Sequence, residues 1–131
     1  MSELLQIYVV AGCVVKKDGK FLLVQEGEEE VRGKWNLPAG RVEIGETIKN
    51  AAIREAREET GYDVEIIREL TNFHEEGEKA VKHIFEVRII GGELKFPPKE
   101  ILDARWFTIE EVENMKSELR RGWVLEVLKM V

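Results

Sequence analysis

The chain has 131 residues, 44% hydrophobic and 35% charged, with 26 acidic against 20 basic side chains and a formal net charge of −6. This length suits one domain and the hydrophobic share is too high for a disordered chain. The longest mainly apolar stretch, Ile7 to Val15, falls far short of the ~20 residues of a membrane helix. An acidic balance repels nucleic-acid backbones, so no nucleic-acid polymer or membrane is expected as a partner, and a small nucleotide would need local cations or bound metal.

Leu4 to Val15 is rich in β-branched residues, Phe21 to Val24 is apolar, and Asp18-Gly19 between them is a hairpin signal, so a strand pair is predicted. Glu26 to Lys34 is polar and reads as a loop. Trp35-Asn36-Leu37-Pro38-Ala39-Gly40 reads as a short strand ending in a turn, followed by a loop through Gly45. Thr47 as N-cap, Ile48 to Thr60 without Gly or Pro, and Gly61 at the C′ position define a helix. Asp63 to Phe73 and Ala80 to Ile90, separated by Glu76-Gly77-Glu78, predict an antiparallel pair. The stretch between Gly91-Gly92 and Pro97-Pro98 predicts a short edge strand. Ala104 to Phe107 re-enters the sheet, and Thr108 with Glu111 forms a capping box that opens a short helix to about Met115. Trp123 to Met130, with Val124, Val127 and Leu128 at helical spacing, predicts a terminal helix. This order of elements predicts one α/β domain, residues 1–131, with a mixed central sheet.

The placement of the acids is unusual. On a helical wheel at ~100° per residue, Ile48, Ala51, Ala52 and Ala56 occupy one arc of about 140°, the natural core-facing stripe. Glu55 and Glu59 fall inside that arc and Glu58 lies just beyond it, whereas Arg54 and Arg57 project mainly from the opposite side. Like charges at this spacing repel, and burying an unpaired carboxylate is costly. Two readings stand at this point: a solvated acidic face with ordinary salt bridges, or a site for a divalent cation, which takes carboxylates, water and phosphate oxygens.

From Gly40, five residues lead to Glu46 and seven more to Arg54, followed by Glu55, Ala56, Arg57, Glu58, Glu59, Thr60, Gly61 and Tyr62. This resembles the signature box of the Nudix hydrolases, spanning residues 40–62, with every charged and glycine position matched; Tyr62 stands where the family usually has an aliphatic residue. Val10 to Val15, the Asp-Gly hairpin, Trp35 to Gly40 and Ala104-Arg105-Trp106-Phe107 also resemble family segments in the same order. The resemblance implies an α/β/α sandwich and metal-dependent cleavage of a diphosphate linkage, with Mg2+ as the ion and Mn2+ as a substitute.

By the same resemblance, Glu55, Glu58 and Glu59 are metal-binding glutamates. Glu59 is the foremost direct ligand, and Glu55 is either a ligand or a water-activating base. Arg54 orients the acids, Glu46 and Gly61 are structural members of the box, and the Ala39 backbone carbonyl is a further metal ligand. An additional glutamate before the penultimate strand completes the metal site or acts as base in several members, and Glu100 is the best match, with Asp103 and Glu93 as competitors. Arg41 is a candidate phosphate donor, beside Gly40 and Gln25 as candidate substrate contacts.

His74 and His83 lack zinc-ligand spacing, and Cys13 reads as a small buried hydrophobe rather than a nucleophile. Trp35 and Trp106 read as core, whereas Phe73, Phe85 or Trp123 could stack on a base but read first as core. Glu28-Glu29-Glu30 reads as a solvated loop flanking the site. With one cysteine and no basic, apolar leader, a reducing cytoplasm is the expected setting, and a homodimer is the candidate assembly. For the substrate, Glu78 and Lys79 stand where members specialised for ADP-ribose or dinucleoside polyphosphates carry Pro or Tyr. Leu37-Pro38-Ala39-Gly40 and Leu119-Arg120-Arg121 resemble the small phosphohydrolases of nucleoside di- or triphosphates, some of which remove oxidised nucleotides. ADP-ribose or another nucleoside-diphosphate derivative is the enzyme alternative, and a non-catalytic nucleotide sensor is the alternative of another class.

Overall fold

Residues 3–131 are described by a computed structural model. Strand β1 (Tyr8–Lys17) turns through Asp18 and Gly19, both at positive φ, into β2 (Lys20–Glu26). Two consecutive left-handed residues are what a tight two-residue hairpin requires. β1 and β2 pair only beside this turn, at Lys16↔Phe21 and Lys17↔Lys20, and then take different partners. β1 runs parallel to β6 (Ala80–Gly92), which pairs antiparallel with β5 (Tyr62–His74); β2 pairs with β7 (Ile101–Phe107) and with β3 (Trp35–Asn36). The wedge opened where β1 leaves β2 is where the candidate site forms.

The Trp35 to Gly40 segment is two strands rather than one. β3 lies on β2, and β4 (Ala39–Arg41) lies on β1, with Gly12 opposite Ala39. Pro38, which has no N–H to donate, makes the crossing, and its carbonyl accepts from the Cys13 N–H at 2.9 Å. Leu4 to Ile7 precede the sheet instead of entering it. The parallel partner begins at Ala80 opposite Tyr8, so earlier residues have no strand to pair with, and Leu4 and Leu5 are 87% and 72% exposed. The expected edge strand after Gly92 is also absent. That segment closes the end of α1 (Ile48–Thr60): Lys95 N–H donates to the Thr60 carbonyl at 2.8 Å, and Gly61, at φ 80°, lies so close to the Glu93 carbonyl that a Cβ would clash.

Helices cover both faces. On one, Ala51, Ala52 and Ala56 of α1 pack on Ala11, Cys13 and Val15 of β1 with Phe85 and Val87 of β6. On the other, α2 (Ile109–Glu113) and α3 (Trp123–Leu128) pack Val112, Val124, Val127 and Leu128 on Val14, Leu23 and Ile84. Alternate residues of one strand thus feed two cores, giving the expected α/β/α layering around a mixed sheet. The predicted capping box is present, with Thr108 and Glu111 each bonding the other's backbone N–H. None of the helices among the described residues is long and apolar enough to cross a membrane.

Candidate active site

Helix α1 begins at Thr47, whose hydroxyl accepts the Asn50 N–H at 3.1 Å, and ends on Gly61. Its alanine stripe lets it lie close against β1 and β4. That closeness brings Glu55 and Glu59, on the flank of the same face, against the backbone of residues 39 and 40. Glu59 Oε1 accepts the Ala39 N–H at 2.9 Å, and a Cβ on Gly40 would run into the Glu55 carboxyl. Glycine at 40 is therefore a requirement for close approach.

Arg54 organises the remaining acids. On the wheel it points away from them, yet its long side chain folds back along the helix. Its Nη1 lies 2.7 Å from Glu55 and 3.2 Å from Glu58, and its Nε and Nη2 hold Glu46 at 3.1 and 2.7 Å. Nη2 also donates to the Arg41 carbonyl, tying β4 to the helix. The Arg54 hydrogen bonds, with the Glu43 N–H, lower Glu46 to a pKa of about 2, and Glu46 in turn raises the proton affinity of Arg54. Arg57 faces elsewhere and pairs with Asp63 at 2.6 Å.

Glu59 is left out of this arrangement. Burial raises its pKa well above the ordinary value; the Ala39 N–H opposes that, and the charges of Glu55, Glu26 and Glu100 push it further up. Glu55 is also raised, first by burial, against the pull of Arg54 and with Glu58 and Glu100 adding to the rise. Glu58 is 53% exposed. Among the described residues no three His, Cys, Asp or Glu side chains converge as a ready-made cage. The oxygens at hand nevertheless suit Mg2+, which commonly takes only one or two carboxylates and completes its shell with water and phosphate. A half-buried carboxylate crowded by acids, with no salt-bridge partner among the described residues, is where an added divalent charge would be most favoured.

Of these acids Glu59 lines a cavity of about 260 Å³ set in the wedge between β1 and β2, and Glu55 and Glu58 lie outside its lining. Ala39, Gly40, Arg41, Glu59 and Glu100 all reach it. Glu100 arrives because its backbone carbonyl accepts the Gly27 N–H at 2.9 Å. Its competitors do not reach the cavity: Asp103 turns to the Ala104 N–H and Arg105, and Glu93 packs its carbonyl against Gly61. Gln25 is likewise off the cavity, its amide donating to the Gly33 carbonyl at 3.1 Å. The Arg41 guanidinium lies 4.0 Å from the Tyr8 ring centroid, stacked at the cavity wall. Glu28 reaches the rim.

Several lining groups escape sequence reasoning. Glu26 accepts two bonds from Arg120, at 2.9 and 2.7 Å across 94 positions of chain, and Arg121 pairs with Glu78. Lys82 and Asn36 also face the cavity. The Arg120-Arg121 pair and Trp35-Asn36 stand in segments that resemble the family, but nothing local says which way their side chains turn. Of the candidate stacking residues, Trp123 lines the cavity, Phe73 packs edge-on against it at 5.3 Å, and Phe85 is core. Cys13 is buried, with burial and the nearby Glu59 and Glu55 charges pushing its thiol up to about 12, so it is no nucleophile at neutral pH.

The NUDIX domain model matches residues 6–126. Human 8-oxo-dGDP phosphatase NUDT18 is 41% identical over 103 residues, covering 76% of this chain and 32% of that protein, so the chain spans about a third of this relative's length. A MutT-like protein of Streptomyces ambofaciens is 32% identical over 120 residues, covering 91% of this chain and 75% of that protein. A NUDIX hydrolase structure from Nitrosomonas europaea superposes with a TM-score of 0.87 at 27% identity, covering 95% of this chain and 88% of that one. A family model matched over residues 6–126, a relative 32% identical along 91% of the chain and the same fold in a NUDIX hydrolase place this chain in the Nudix family.

Proposed function

We propose that the chain hydrolyses a diphosphate linkage in a nucleoside di- or triphosphate, including an oxidised nucleotide of the kind named for the human relative, with Mg2+ as the resident ion and Mn2+ as a substitute. The observation that carries this reading is Glu59, a half-buried carboxylate in the cavity wall with acids around it and the Ala39 N–H as its hydrogen-bond partner. Glu55, Glu58, Glu59, Glu100 and the Ala39 carbonyl are the oxygens that would hold the ion. A bound divalent ion supplies neutralisation of phosphoryl charge and a more acidic water.

The chain's own groups do the rest. Arg54 keeps Glu55 and Glu58 in place. Glu55, whose proton affinity burial has raised, is suited to accept the proton of the attacking water. Arg41 offers a guanidinium fork for a phosphate oxygen, and Gly40 lets substrate and carboxylate approach the backbone. The same reading sets the protein in a reducing cytoplasm, supported by the buried free thiol of Cys13.

A panel of nucleoside di- and triphosphates and ADP-ribose, assayed with Mg2+ for phosphate or pyrophosphate release, tests the proposal. Turnover is expected in wild type and lost in Glu59→Gln while the variant stays folded. Saturable nucleotide binding without phosphate release would instead show the sensor.

A further inference from the structure

One cation of the cavity is held differently from the others. Of its three arginines, Arg120 and Arg121 are in ion pairs, with Glu26 and Glu78, whereas the Arg41 guanidinium has no carboxylate partner among the described residues. Yet Glu59 and Glu100 line the same cavity and are likewise in no ion pair among those residues. A guanidinium in an acid-rich cavity would ordinarily settle on a carboxylate. Arg41 instead lies against an aromatic face, its central carbon 4.0 Å from the centroid of the Tyr8 ring.

The sheet sets up this contact. Val10 of β1 stands opposite Arg41 of β4, and Tyr8, two residues before Val10, shares its face, so Tyr8 and Arg41 are diagonal neighbours. All three line the cavity. Both backbones are tied down: the Tyr8 N–H donates to the Lys79 carbonyl at 2.8 Å, and the Arg41 carbonyl accepts from Arg54 Nη2 at 2.9 Å. A ring contact and an ion pair differ in what they leave free. A carboxylate would occupy the N–H edge of the guanidinium, whereas attraction to the ring acts through the guanidinium's face and leaves that edge for a ligand. Resting on the nucleotide-hydrolase reading of this cavity, in which Arg41 receives a phosphate, we propose that Tyr8 is a positioning residue: its ring holds the Arg41 fork clear of the carboxylates and ready for the substrate's diphosphate.

Methylenediphosphonate, a diphosphate mimic with no base and a carbon bridge that water cannot cleave, is the probe. Its binding at saturating Mg2+, measured by titration calorimetry, should be unchanged in Tyr8→Phe, which keeps the ring. In Tyr8→Leu it should weaken by about two- to fivefold, the range for an exposed cation–ring contact; Tyr8 is 38% exposed. Arg41→Met should weaken it further, and Tyr8→Leu added to Arg41→Met should then have no additional effect. A residue that merely supports the strand would cost the same in both backgrounds. With nucleoside diphosphates the loss in Tyr8→Leu should appear in KM, with kcat nearly unchanged. Wild-type affinity in Tyr8→Leu, a loss of the same size in Tyr8→Phe, or an equal loss with and without Arg41 overturns the proposal, as does a wild type that fails to bind the probe. Probe binding that depends on the ring through Arg41, without any nucleotide turnover, would sustain it while removing the hydrolase reading, so the two can fail separately.

Discussion

The two helical layers use the same sheet in opposite ways. On the α1 face the contact residues are small, Ala51, Ala52 and Ala56, and the helix lies close enough for Glu59 to accept a backbone N–H from β4. On the α3 face the contacts are large and aliphatic, Val124, Leu125, Val127 and Leu128, and no carboxylate enters the buried cluster. Close approach serves the proposed chemistry on one side; volume serves cohesion on the other. A core of alanines buries little area, so the stability lost there must be supplied by the thicker layer opposite.

The contrast can be broken from either side. Leu128→Ala, at a site 1% exposed, should cost about 2–5 kcal/mol in chemical denaturation, with turnover per folded molecule unchanged. Gly40→Ala should do the reverse. Its Cβ displaces the Glu55 carboxyl, and a misplacement on the order of 1 Å is expected to lower kcat/KM by about a hundredfold with little loss of stability. A large stability loss with normal turnover at Gly40 would erase the distinction between the faces. Glu46→Gln tests the support behind the acids. Arg54 loses its charged bidentate partner, and metal affinity measured by titration calorimetry should fall roughly 10–100-fold.

The smallest effect belongs to the far layer. Thr108→Ala removes the cap of α2 at a cost of about 1 kcal/mol near neutral pH. Hydrogen bonds from the Thr108 backbone and side chain lower the pKa of Glu111 in the folded protein. That contribution is therefore complete above its ordinary value near 4.5 and is lost as pH falls through the folded value. Denaturation curves of wild type and variant should accordingly converge in acid.

Local features were legible in the sequence. Thr47, Gly61 and the Thr108 capping box bound their helices through neighbours a few residues away, and the box acids meet because they share one helix with Gly40 close by. What stayed hidden depends on distant partners. The Glu26–Arg120 and Glu78–Arg121 pairs span 94 and 43 positions, so this part of the cavity lining exists only once the topology brings β2, the β5–β6 turn and the segment before α3 together. Leu4 to Ile7 have strand-forming residues but no partner beyond Ala80, and residues 93–97 were claimed by the end of α1. Arg54 illustrates a third limit, because a wheel places the Cβ and says nothing of where a long side chain ends.

In the proposed site the Glu59 carboxylate waits for a cation. Thermal unfolding of wild type and Glu59→Gln, each titrated with Mg2+, tests it most directly. Saturating Mg2+ should raise the wild-type Tm, because an ion bound only by the folded state stabilises it. Glu59→Gln, relieved of a half-buried charge crowded by acids, should be at least as stable as wild type without metal and show little or no rise with it. An equal Mg2+-dependent rise in both proteins would contradict the account.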